Sequence, residues 1–111
     1  MADFVIRRWD LEPYPGDQAP VHVHHASDEG FCVLDGQLEV LVGQERRTLR
    51  AGEHLVVPAG AAHTFATVGE QGATVLAVMT PEVDALVSAL HTAASEEQRQ
   101  AAWSRYRSSL T

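Results

Sequence analysis

From Pro20 onward the chain alternates in character. His22 and His24 fall on one side of an extended segment and Val21 and Val23 on the other, the period of two that marks a half-buried strand. Ala26-Ser27-Asp28 interrupts the run, and Glu29, Phe31 and Val33 then share a face of the next strand. Asp35-Gly36 carries a two-residue hairpin signal. Beyond it Leu38, Val40 and Val42 alternate, and Gly43-Gln44 turns the chain into Arg46 to Leu49. Leu55 to Val57 and His63 to Thr67 predict two more strands, divided by Pro58-Ala59-Gly60, and Thr74 to Met79 a last apolar one. Asp3 to Trp9 predicts an opening strand, followed by a loop over Leu11 to Ala19, which holds two prolines and a glycine. Seven or eight short strands separated by Gly and Pro predict an all-β sandwich or closed barrel.

At Thr80 the period changes. Thr80-Pro81 has the form of an N-cap followed by proline in the first turn, and Val83, Leu86, Val87 and Leu90 recur at helical spacing. Ser95 to Gln98 resembles a capping box, and the helix it opens is expected to carry Trp103, Tyr106 and Leu110 on one side. The expected organisation is a β-barrel domain over residues 1–80 and a C-terminal helical extension over 81–111 packed on the barrel. The apolar faces of these helices exceed the obvious needs of so small a barrel. A homodimer is therefore expected, joined through the helices or the N-terminal strand.

Composition narrows the classes of partner. At 111 residues the chain suits one core. A formal charge of −7, with all eight basic residues arginine, argues against nucleic acid, which rewards basic patches. No apolar run approaches the roughly 20 residues that span a bilayer, so no membrane partner is expected. The stretch MADFVIRRWDLEP lacks a signal peptide's apolar core, and the lone Cys32 cannot close an internal disulfide. Together these predict a cytoplasmic protein, with Cys32 a packed small side chain.

The candidate chemistry lies in two segments. The first, Gly16 to Gly36, carries His22, His24, His25 and Glu29; the second, Gly52 to Thr67, carries His63. The imidazoles of His22, His24 and His63 with the Glu29 carboxylate would suit a divalent transition metal, Fe, Ni, Mn, Cu or Zn. Spacing alone favours ordinary histidines over ligands, because only a closed sheet would bring His63 to His22, His24 and Glu29.

The two segments resemble the paired motifs of the cupin superfamily. The first family pattern is Gly, five residues, His-x-His, three or four residues, Glu, six residues, Gly, met by Gly16, His22, His24, Glu29 and Gly36. The second is Gly, five residues, Pro-x-Gly, two residues, His, three residues, Asn, met by Gly52, Pro58, Gly60 and His63, with Thr67 where asparagine is common. The match extends over roughly residues 15 to 80 and is similar to small bacterial single-domain cupins of the quercetinase-like kind. The resemblance implies an all-β double-stranded β-helix, a jelly-roll barrel with a metal in its mouth. It implies His22, His24, Glu29 and His63 as the metal ligands.

The resulting expectation is a metal-dependent dioxygenase acting on a small anionic or chelating enol, with Glu29 doubling as a base. A non-catalytic binding or sensing cupin is the first alternative. An isomerase or epimerase is the second, less favoured because Tyr14 is the sole tyrosine of the β region. Phe31, Val33, Val40, Leu55, Val57 and Phe65 are expected to line the barrel as the substrate pocket. His25, facing away from His22 and His24, is expected at the surface or behind the ligands.

Overall fold

The alternating segments become strands in the computed structural model, which describes residues 3–111. They are β1 (Val5–Leu11), β2 (His22–His24), β3 (Glu29–Asp35), β4 (Gln37–Val42), β5 (Glu45–Arg50), β6 (His54–Val57), β7 (His63–Thr67) and β8 (Ala73–Met79). Helices α1 (Pro81–Thr92) and α2 (Glu96–Arg105) follow, and a short β9 (Ser108–Leu110) closes the chain. Two antiparallel sheets result, ordered β1-β8-β3-β6 and β5-β4-β7-β2-β9. The architecture is the jelly-roll barrel that the resemblance implies.

Period-two burial explains why the sheets face each other. Along β8 the residues Ala73, Val75, Ala77 and Met79 are buried while those between them are not. Phe31 and Val33 of β3, Leu38 and Val40 of β4, and Leu55 and Val57 of β6 point into the same interior. Burying such a side chain contributes roughly 1.5–3 kcal/mol, so a slip of one residue in any strand would turn its stabilising face to water.

The Asp35-Gly36 signal marks a turn, but not a hairpin. β3 and β4 belong to different sheets, and Gly36, at φ 76°, takes the chain round the barrel corner. A Cβ there would run into the carbonyl oxygen of Gly72. The true two-residue hairpin is Gly43-Gln44, where Val42 pairs with Glu45 and Gly43 supplies the positive φ of 61° that such a loop needs.

Both helix starts form as the pattern predicts. Thr80 Oγ1 accepts from the Val83 N–H at 3.2 Å, and Ser95 Oγ accepts from the Gln98 N–H at 3.1 Å. The end of α2 differs from expectation. Instead of continuing to Leu110, the helix stops at Arg105, Arg107 takes φ 51°, and Ser108 to Leu110 pair with His24 to His22. β2 has β7 on one edge only; β9 satisfies the backbone groups of the other, which outweighs three further helical residues. The segment expected to be wholly helical thus returns a strand to the barrel sheet.

Part of the helices' apolar faces packs within the chain. Val83 packs with Ala77 and Met79, and Leu86 packs with Ala102 and Trp103. Two ion pairs tie α1 to its surroundings, Asp84 with Arg7 at 3.0 Å and Glu82 with Arg107 at 2.9 Å.

Candidate metal centre

β2 and β7 are neighbours in one sheet, with His22 directly opposite His63. His24, two residues on, projects to the same side. Glu29 comes from the facing sheet, where it opens β3 opposite Val57. A closed barrel therefore does bring the four together. All are buried, and one potential ligand atom from each lies within 4.8 Å of every other. Neutral imidazoles and a carboxylate gathered this closely are a donor set that suits a divalent transition metal.

The Pro58-Ala59-Gly60 turn clamps the two motifs together. The Gly60 N–H donates to the His24 carbonyl at 2.9 Å, and the Ala59 N–H donates to Asp28 Oδ1 at 2.8 Å. Thr67, buried at the position where asparagine is common, accepts from the Tyr14 N–H at 3.1 Å and so pins the loop before β2 to β7.

Each imidazole of the cluster is oriented through its outer nitrogen. Nδ1 of His22 lies 2.7 Å from the Pro20 carbonyl, and Nδ1 of His63 lies 3.0 Å from the Ala61 carbonyl. A carbonyl oxygen only accepts, so both Nδ1 atoms carry the proton. Nδ1 of His24 lies 2.7 Å from the Ser108 hydroxyl. The Nε2 atoms remain for the interior, where that of His63 stands 3.2 Å, and that of His24 3.7 Å, from Glu29 Oε1. An imidazole lone pair facing a carboxylate oxygen is repulsive unless a proton or a metal cation lies between them.

The electrostatics fit the cation. Burial pushes the His22 pKa down to about 4, and His63 and His24 nearby lower it further against the opposing Pro20 bond. Burial alone would raise the Glu29 carboxyl, but the His24 and His63 imidazoles beside it hold it below the usual carboxylate range. Near neutral pH His22 is a neutral donor and Glu29 an anion, the states that metal ligation requires.

The cluster opens into a cavity of about 450 Å³. Trp9 and Phe65, stacked with centroids 5.8 Å apart, form one wall, and Leu86, Val87, Leu90 and Trp103 from the helices form the other. This corrects the expected pocket. Phe65 lines it, whereas Phe31, Val33, Val40, Leu55 and Val57 do not and belong to the packed core. Inward side chains fill this part of the barrel, and the cavity beside the cluster lies at the mouth, beneath the helices. Trp103, with its ring 5.3 Å from His22, and Ser108 both serve the site, and no local pattern announces either. Of the two places expected for His25, the structure shows the surface and not the one behind the cluster: it is exposed, and its Nε2 lies 2.8 Å from the Ser109 hydroxyl. His54 is exposed and Cys32 half-buried.

Comparison with known proteins agrees with this arrangement. Residues 9–79 match the cupin domain family. Over 50 residues, 45% of this chain, the sequence is 44% identical to quercetin 2,3-dioxygenase of Bacillus subtilis (strain 168), covering 15% of that protein. The curated relatives are matched over 15% to 53% of their own lengths. Among solved structures, TT1209 from Thermus thermophilus is 33% identical with a TM-score of 0.62, over 70% of this chain and 72% of that one. A sugar phosphate isomerase of the cupin superfamily from Silicibacter pomeroyi is 28% identical, also at 0.62, over 72% of this chain and 52% of that one. With its two motifs folded into one buried His/Glu cluster inside a jelly roll, the chain belongs to the cupin domain family.

Proposed function

We propose that the protein is a divalent-metal-dependent dioxygenase acting on a small anionic, chelating enol. The observation that carries this reading is the convergence of three imidazole Nε2 atoms and the Glu29 carboxylate at one end of an apolar cavity. The partial identity to quercetin 2,3-dioxygenase supports it. His22, His24, Glu29 and His63 would hold the ion, and a bound divalent metal supplies Lewis-acid and redox chemistry to substrate and oxygen. Three neutral donors and one carboxylate leave a net positive charge there, which favours an enolate over its neutral enol. Glu29 Oε1 faces the imidazoles, and the other carboxylate oxygen accepts the enol proton. Trp9, Phe65, Leu86 and Trp103 hold an apolar substrate body and exclude water.

An oxygen electrode tests this with protein reconstituted in turn with iron, nickel, manganese or copper, given flavonols and simpler enols. Oxygen uptake that needs both metal and enol is expected. No uptake with any of the four metals would overturn the proposal. The likeness to a sugar phosphate isomerase favours a second reading, isomerisation at the same site; its signature is solvent hydrogen entering the substrate without oxygen consumption.

A further inference from the structure

We infer that the C-terminal strand is a working part of the metal centre, with Ser108 the positioning residue that fixes His24 to present Nε2 inward. The inference rests on the metal-binding reading above, but its first test does not.

Ser108 is buried, with 4% of its surface exposed, and both sides of its hydroxyl are committed. The O–H donates to the Tyr106 carbonyl at 3.3 Å, which leaves a lone pair to accept from His24 Nδ1 at 2.7 Å. The direction of that bond therefore places the proton on Nδ1. His22 and His63 obtain the same arrangement from carbonyls two residues away on their own segments. His24 alone depends on a group 84 positions distant.

The approach to Ser108 is costly and specific. Arg107 is the sole non-glycine residue at positive φ among the described residues, a conformation that L side chains rarely adopt. Its side chain is held on Glu82 of α1 by two contacts, at 2.9 and 3.2 Å, and its carbonyl accepts from the His25 N–H at 2.9 Å. These contacts set the register in which Ser108 lies opposite His24. Strain retained beside a buried ligand bond is the pattern of a functional constraint.

The test compares Ser108→Ala, Ser108→Thr and Ser109→Ala. Ser109 occupies the same strand, but its hydroxyl meets the exposed His25, so its loss reports on strand docking alone. In metal-free protein, long-range nitrogen–proton NMR reads which His24 nitrogen carries the proton. Nδ1 is expected in the wild type, Ser108→Thr and Ser109→Ala, with a shift toward Nε2 in Ser108→Ala. Competition against a chelating dye then reads zinc affinity, expected to fall about 10–100-fold in Ser108→Ala, to recover in Ser108→Thr and to hold in Ser109→Ala. An unchanged His24 tautomer in Ser108→Ala, or equal affinity losses in Ser108→Ala and Ser109→Ala, would overturn the inference. Failure of the wild type to bind zinc would instead strike the metal reading, while the tautomer result still decides the role of Ser108.

Discussion

Replacing His63 with alanine is expected to remove metal binding and enol-dependent oxygen uptake while leaving the barrel folded. His63 is buried at 1% exposure, and its ring lies 4.3 Å from that of His22 and 5.0 Å from that of His24. Its side-chain bonds run to the adjacent Ala61 carbonyl and to Glu29, so its removal breaks no link between distant elements except the site itself. β7 keeps its backbone pairing with β4 and β2. Losing a direct ligand should exceed the effect of losing a supporting bond, so affinity should drop at least about 100-fold, or about 2.7 kcal/mol. Chelator competition measures the drop, and circular dichroism verifies the fold. Wild-type affinity in the variant would remove His63 from the ligand set.

Phe31→Ala is expected to cost about 3–5 kcal/mol of stability, a large part of the roughly 5–15 kcal/mol that holds a domain together. Phe31 is 1% exposed. Its ring lies 5.2 Å from Phe65 and 6.4 Å from Trp9, so truncation removes apolar burial and two aromatic contacts together. Urea unfolding of metal-free protein gives the number. The same variant separates two roles for Phe31. A core residue lowers the unfolding midpoint strongly, whereas a pocket residue alters ligand affinity at nearly constant stability. A loss below about 1 kcal/mol would contradict its place in the packed interior.

These residues also show what a sequence can reveal. The four clustered residues were legible through the resemblance to the cupin motifs, in which His22 and His24 sit two apart on one strand face and Pro58-x-Gly60 turns the chain shortly before His63; their spacing alone left ordinary buried histidines open. The helix caps at Thr80 and Ser95 were equally legible, since a cap is settled within four residues. Asp35-Gly36 was half legible. A positive φ suits a hairpin and a barrel corner alike, and only pairing elsewhere decides between them. Ser108 to Leu110 carried no signal, because three residues have no period and their partner, β2, lies more than 80 positions away. The pocket was misplaced for a related reason. Alternation places Phe31, Val33 and Val57 inward, but whether inward means core or cavity depends on barrel width and on where Trp103 and Leu86 return over the mouth.

The most direct test of the metal centre is elemental analysis of protein purified without chelator or nickel affinity media, then reconstituted with a divalent metal and desalted. Close to one equivalent of a divalent transition metal per chain is predicted, carried by wild type and absent from His24→Ala. A wild-type protein that retains no metal even after reconstitution would contradict it, and would leave the buried His22, His24, Glu29 and His63 as a proton-sharing cluster in a metal-free barrel.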